Sequence, residues 1–257
     1  LLTAVFNQST GQLDELVLKG RQVIVPGQGF LYDNHRWIEN DTFRKTENGL
    51  EETGTCEVTE ETAKTVTVRT SRDGSLCGTT LVYTFTSDGI MTLKAEFQPK
   101  TDELRRCGLV CGIEPSLNQV DYYAYGPWEN YNDRKDGCMI GRYTTTVKDM
   151  SEKYVKPQSM GNREGLRNLR LTDTSGKGIE IETEGTVSFS LQPYTDEDLM
   201  LAKHTWELQE RPYLVLHLDA ALRGVGNASC GSDVDTLPIY RVPQQPMSYT
   251  LRITAVE

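Results

Sequence analysis

Two-residue alternation recurs from one end of this chain to the other. TAKTVTVRT, TTLVYTFTS, IMTLKAEF, GIEIET, VSFSLQ, PYLVLHLDA and SYTLRITA set β-branched or aromatic residues at alternate positions, with Gly, Asp, Asn and Ser clusters between them. A period of two places one set of side chains on one face of an extended strand, whereas a helix needs a period near 3.6. The pattern predicts a large antiparallel β protein.

Only YTDEDLMLAKHTWELQE reads as a helix. Thr195 is its predicted N-cap, Asp198 stands three residues on, and Leu199, Ala202 and Trp206 fall on one face. One short helix among many strands excludes βαβ architecture, and with it the Rossmann, P-loop and (β/α) barrel classes. VPGQG and PQQP mark loops and not boundaries, and there is no internal repeat or low-complexity linker. Residues 1–257 therefore read as a single domain, a length that an all-β sandwich can fill.

A formal net charge of -10 leaves no basic stripe, so nucleic acid and anionic membrane are poor partners. The runs Arg163 to Arg170 and Lys94 to Arg106 carry interspersed apolar and acidic residues and read as solvated faces. No apolar run approaches the length of a membrane span. The opening LLTAVFNQSTG has no charged n-region, cleavage site or initiating Met, which reads as a piece of something longer or a processed product.

Six cysteines, at 56, 77, 107, 111, 138 and 230, form no regular framework. Cys107 and Cys111 make a C-x3-C with no second cluster at zinc-ligand spacing. Buried free thiols or one opportunistic disulfide are expected, with no metal site and no cofactor. GVGNASCG, at 224 to 231, approaches a dinucleotide fingerprint, but Ser229 stands where the third Gly belongs and no helix follows to hold a pyrophosphate. A hairpin or surface loop suits Gly224 and Gly226 better, with Asn227, Ser229 and Cys230 at its tip.

In YLVLHLDAALRG, alternation puts Leu214, Leu216 and Leu218 on one face and His217 and Asp219 together on the other, leading into that loop. They form a candidate acid/base or sugar-binding pair, against the commoner case of a surface His beside an Asp. The three His include no H-E-x-x-H, and no Ser lies in a G-x-S-x-G elbow. Glycoside hydrolysis needs two carboxyl groups across the scissile bond, for which Glu129 and Asp133 qualify by type alone.

Both lie in YGPWENYNDRK, residues 125 to 135. Gly126-Pro127 ends a strand there, and Asn130, Asn132 and Asp133 are turn formers whose short side chains bond nearby backbone. Glu129 and Arg134 are placed to clamp each other or backbone groups. Trp128 and Tyr131 suit either core packing or stacking on a sugar.

This stretch resembles the G-x-G-P-x-E-N-Y-P-D-R signature of the C-terminal, or small-chain, domain of glycoside hydrolase family 2 β-galactosidases. GQLDELVLKGRQVI, HRWIEND, YVKPQSMGNREGLR, FSLQPYTDEDL and LDAALRGVGNASCG follow as further landmarks of that domain, from about Phe6 to the end. The resemblance implies an antiparallel β-supersandwich of the galactose-mutarotase-like type. It also implies a non-catalytic domain, because the family's catalytic glutamates lie in a separate barrel. The implied partners are that catalytic barrel or large chain and a galactoside, in an enzyme able to form homo-oligomers. A bacterial periplasmic location is slightly favoured over the cytoplasm on the same ground.

Asn227, Ser229 and Cys230 are the expected substrate-proximal residues, Trp128, His217 and Asp219 candidate sugar contacts, and Glu129, Asn130, Tyr131, Asp133, Arg134, Asn162 and Arg163 the structural motif. Cys230 stands where the family carries an aromatic platform, Asn132 replaces the Pro of N-Y-P-D-R, Tyr125 replaces an Arg, and Ser159 and Met160 replace a Glu and an Asn. Two alternatives use the same fold. A stand-alone aldose epimerase would take His217 or His204 as its acid. A sugar-binding module would present Trp128, Tyr131 and His217 on an exposed face.

Overall fold

The structure, a computed structural model, describes residues 2–38, 54–226 and 236–257. Four short strands come first: β1 (Leu2–Phe6), β2 (Leu13–Leu18), β3 (Arg21–Ile24) and β4 (Leu31–Asp33). Four longer ones follow: β5 (Thr55–Glu61), β6 (Thr65–Asp73), β7 (Cys77–Thr86) and β8 (Met91–Pro99). The rest are β9 (Arg106–Ile113), β10 (Gln119–Gly126), β11 (Met139–Thr146), β12 (Asn168–Thr172), β13 (Gly178–Gly185), β14 (Ser188–Gln192), β15 (Leu214–Leu222) and β16 (Met247–Val256). Helix α1 (Val147–Met150) precedes β12, and α2 (Asp196–Leu201) precedes β15.

Among the described residues the strands form two sheets. One runs β1-β2-β3-β9-β15-β14, with β4 also on β9, and the other runs β11-β10-β12-β13-β16-β8-β7-β6-β5. Adjacent pairs are antiparallel, as the alternation requires for sheets with one face in a core. The β2–β3 hairpin closes on Lys19 and Gly20, both at positive φ, the geometry of a two-residue turn matched to strand twist.

The core lies between the sheets. Leu81, Tyr83 and Phe85 of β7, Met91, Leu93, Ala95 and Phe97 of β8, and Leu251 and Ile253 of β16 face Leu109 and Cys111 of β9 and Leu216 and Leu218 of β15 in one contiguous cluster. Each large apolar side chain removed from water in this way stabilises the fold by about 1.5–3 kcal/mol before chain entropy is counted. Tyr249 fills the same layer and donates its hydroxyl to the Leu218 carbonyl at 2.8 Å, which satisfies the polar end of a buried ring.

The helical segment is shorter than its pattern predicts. Thr195 and Asp198 form the expected capping box, but α2 ends at Leu201. Trp206 lies in a separate 3-10 turn, 77% exposed and stacked on His204 at 4.2 Å, so it does not share the buried face of Leu199. The one-turn helix α1 follows directly from β11 and is hidden in sequence by its run of threonines. The basic runs are also not solvated faces throughout: Arg105, Arg106 and Arg163 are buried.

Candidate functional site

Gly126 ends β10, and the chain then turns back over its own neighbours. Glu129, Asn130 and Tyr131 are buried in this turn, while Trp128 stays 66% exposed. Asn130 donates to the carbonyls of Tyr125 and Trp128 at 3.2 and 3.0 Å and accepts from the Glu164 amide at 2.9 Å. Asn162 reciprocates, with its side chain on the Asn130 carbonyl at 2.8 Å. Arg163 donates to Gly161 and Pro127 carbonyls at 2.9 and 3.0 Å. Two motifs about 30 residues apart thus supply each other's buried backbone partners, which is what holds irregular chain inside a protein.

Glu129 is fully committed within this knot. Its carboxylate pairs with Arg134 at 2.7 Å and accepts from the Tyr131 hydroxyl at 3.2 Å, the Gly161 amide at 2.8 Å and the Tyr154 hydroxyl. Burial and that bond to Glu129 push the Tyr154 hydroxyl up to about 12. Tyr131 lies between the guanidinium groups of Arg36 and Arg134, at 4.9 and 5.5 Å from its ring centre.

The far end of the turn holds the base of the loop that follows β15. Asp133 accepts from the Val225 and Gly226 amides at 3.1 and 2.5 Å. Asn132 donates to the Leu222 and Tyr240 carbonyls at 3.0 and 3.2 Å, tying the two ends of that loop to one side chain. Gly224 is required here, since any side chain would run into the Asp133 carboxylate. Asn227, Ser229 and Cys230 lie outside the described residues. Glu129 and Asp133, candidates by type for glycoside chemistry, are thus both bound to structural partners.

A second polar group forms where β4 and β15 flank β9. Asp33 and Asp219 are both register partners of Gly108, one on each side. A side chain at Gly108 would collide with the Asp219 carboxylate. Arg106, buried at the start of β9, reaches Asp196 of α2 at 2.8 Å, Asp33 at 3.1 Å and Asp219 at 3.2 Å. Its Nη1 also lies 2.7 Å from His217 Nδ1. Ser159 donates its hydroxyl to Asp196 and accepts from the Trp37 amide at 2.7 Å.

Burial alone would raise the Asp33 carboxyl, but the hydrogen bond from His217 and the Arg106 charge outweigh it and hold Asp33 well below the usual range. For Asp219 burial wins over Arg106, and the group is pushed up to about 6. Asp33, Asp196 and His217 each present a ligand atom within 4.8 Å of one another, a donor set able to hold a divalent cation. The guanidinium already occupies their centre.

One edge of the group opens onto a cleft of about 280 Å³ lined by His35, Arg211, Tyr213 and Val215 besides Asp33, Asp196 and His217. His217 and Asp219 do share a face of β15, as alternation predicts, but both are buried in the ion cluster. Trp128 belongs to the other group. The exposed face required of a sugar-binding module from Trp128, Tyr131 and His217 does not exist, because Tyr131 and His217 are buried. Sequence reasoning missed Arg106, Asp33 and Asp196 as their partners; the register of β4, β9 and β15 brings residues 33, 106 and 219 together, and the placement of α2 adds residue 196.

Two sheets of this order define a galactose-mutarotase-like supersandwich. Galactose 1-epimerase from Lactobacillus acidophilus NCFM superposes with a TM-score of 0.53 at 9% identity, covering 100% of this chain and 91% of that one. The GalM/aldose epimerase homologue from C. elegans superposes at 0.52 and 11% identity, covering 100% and 96%. At such identities the likeness is one of fold. The chain belongs to the β-galactosidase small chain family, whose model matches residues 2–253. A β-galactosidase from Actinobacillus pleuropneumoniae is 33% identical over 68% of this chain and 17% of its own length. One from Lactobacillus delbrueckii subsp. bulgaricus is 30% identical over 81% of this chain and 20% of its own length. The chain therefore spans about a fifth or less of these relatives.

Proposed function

We propose that this chain is the non-catalytic small-chain domain of a β-galactosidase-like glycoside hydrolase, packing on a catalytic barrel and shaping the entrance for the sugar and its aglycone. The observation that carries this reading is the match over residues 2–253 to a family whose curated relatives are about four times longer than this chain. The site geometry agrees. Glu129 and Asp133 are tied into the turn, and the turn's product is a fixed base for the loop bearing Asn227, Ser229 and Cys230. Two carboxylates already held by structural partners are not free to act as an acid and a nucleophile across a bond, which supports the reading.

The test is complementation. The 257-residue chain alone should not hydrolyse a nitrophenyl β-galactoside, and a full-length enzyme lacking this region should regain activity when the chain is supplied in trans. Hydrolysis by the isolated chain, or full kcat/KM in the truncated enzyme, would overturn the reading. In the intact enzyme Cys230→Trp is expected to shift preference between lactose and substituted galactosides while leaving folding unchanged.

A further inference from the structure

We propose that Cys77 and Cys107 are a disulfide site that covalently joins the two sheets when the folding chain meets a small-molecule disulfide. Their sulfurs lie 4.0 Å apart, and both residues are buried. Cys77 opens β7 in one sheet and Cys107 is the second residue of β9 in the other. The chain passes between these two sheets from β8 to β9, and that crossover fixes the pair. Cys77 is the ladder partner of Pro99 at the end of β8, and the Lys100 amide holds the Leu76 carbonyl at 2.9 Å just before the crossing. A disulfide places its sulfurs about 2.05 Å apart, a closure of roughly 2 Å shared between two side chains.

The other pairing suggested by sequence, C-x3-C, is closed by geometry. Cys107 and Cys111 lie four residues apart on one strand, roughly 13 Å between Cα atoms, well beyond the reach of a disulfide. Cys56, Cys77, Cys107, Cys111 and Cys138 are all free thiols in this structure, and of these Cys77 and Cys107 are the pair whose sulfurs approach.

The chemistry is thiol–disulfide exchange, and the oxidant is a disulfide such as oxidised glutathione. The Cys77 sulfur, as thiolate, attacks one sulfur of the oxidant and releases one thiolate equivalent. Cys107 then attacks the Cys77 sulfur of the mixed disulfide and releases the second. The two protein thiol protons end on the two departing thiols, so two protein thiols and one disulfide become one protein disulfide and two small thiols. Exchange takes place while the β6–β7 hairpin is closing over β9; once both residues are covered, soluble reductants are kept out.

The experiment uses the 257-residue chain refolded with oxidised glutathione, then denatured and alkylated without reduction. The intact mass should show two fewer alkyl groups than the six cysteines allow, and a peptide map should link residues 77 and 107. The oxidised chain should melt about 5–10 °C above the reduced one, the shift expected for closing a loop of this length in a domain of this size, and Cys77→Ser and Cys107→Ser should each abolish the difference. Six alkyl groups, a glutathione retained on Cys77, or a bridge that leaves either residue free would overturn the proposal. The wild-type mass alone decides it if the serine variants fail to fold.

Discussion

Replacing Arg106 with Met removes a guanidinium that three buried carboxylates share and keeps a side chain of similar length. At an effective dielectric constant near 20, a unit pair about 3 Å apart is worth roughly 5 kcal/mol before desolvation. Recovering the cost of burying the guanidinium offsets much of the three contacts at 2.8, 3.1 and 3.2 Å. Removing one partner of such a group leaves uncompensated buried charge and typically costs about 3–5 kcal/mol. We expect a loss of about 4 kcal/mol at pH 7.5, read from urea unfolding followed by tryptophan fluorescence.

The loss should shrink toward pH 5. In the wild-type chain Asp33 is held low, so the stability it supplies is present above the unfolded carboxyl value and is lost only as pH falls through its depressed folded value. Without Arg106, Asp33 loses a lowering charge and Asp219, already raised to about 6, rises further. Groups raised on folding take up protons as the chain folds, so their penalty is absent at acid pH and grows as pH rises through the folded values. A loss below about 1 kcal/mol, or one equal at pH 5 and 7.5, would refute the view that Arg106 neutralises this cluster.

Two further substitutions probe other parts of the molecule. Thr195→Ala removes the capping box of α2 and should cost about 1 kcal/mol in unfolding free energy; an unchanged urea midpoint would show that the helix is held by packing alone. Asp133→Ala removes the acceptor of the Val225 and Gly226 amides, so their hydrogen exchange should speed by about tenfold or more while that of β8 stays unchanged.

The antiparallel β character was legible because alternation is local: the β7 and β8 patterns each state which side chains face inward, whereas the two-sheet arrangement was implied only by the family resemblance. The capping box at Thr195 was legible for the same reason, whereas the position of Trp206 depended on where the helix stopped, which propensity fixes weakly. The turn at 125 to 135 could be read as a turn but not as a clamp, since Asn132 meets residues 90 and 108 positions away. His217 and Asp219 could be placed on one face, yet their burial follows from Asp33, Arg106 and Asp196, which only the register of β4, β9 and β15 and the placement of α2 bring to them. Long-range pairing leaves no mark in a single sequence.

Because Asn132 and Asp133 pin both ends of the chain between Leu222 and Tyr240, that stretch works as a replaceable cassette on a fixed mount. Residues can be added or removed between the pins for a closure cost that grows only logarithmically, about 0.6 kcal/mol for each doubling in length. The scaffold beneath need not change. Exchanging the residues beyond Gly226 between relatives that keep the two pins, with buried Arg223 and Thr236 retained, is therefore expected to leave the stability of the sheets unchanged.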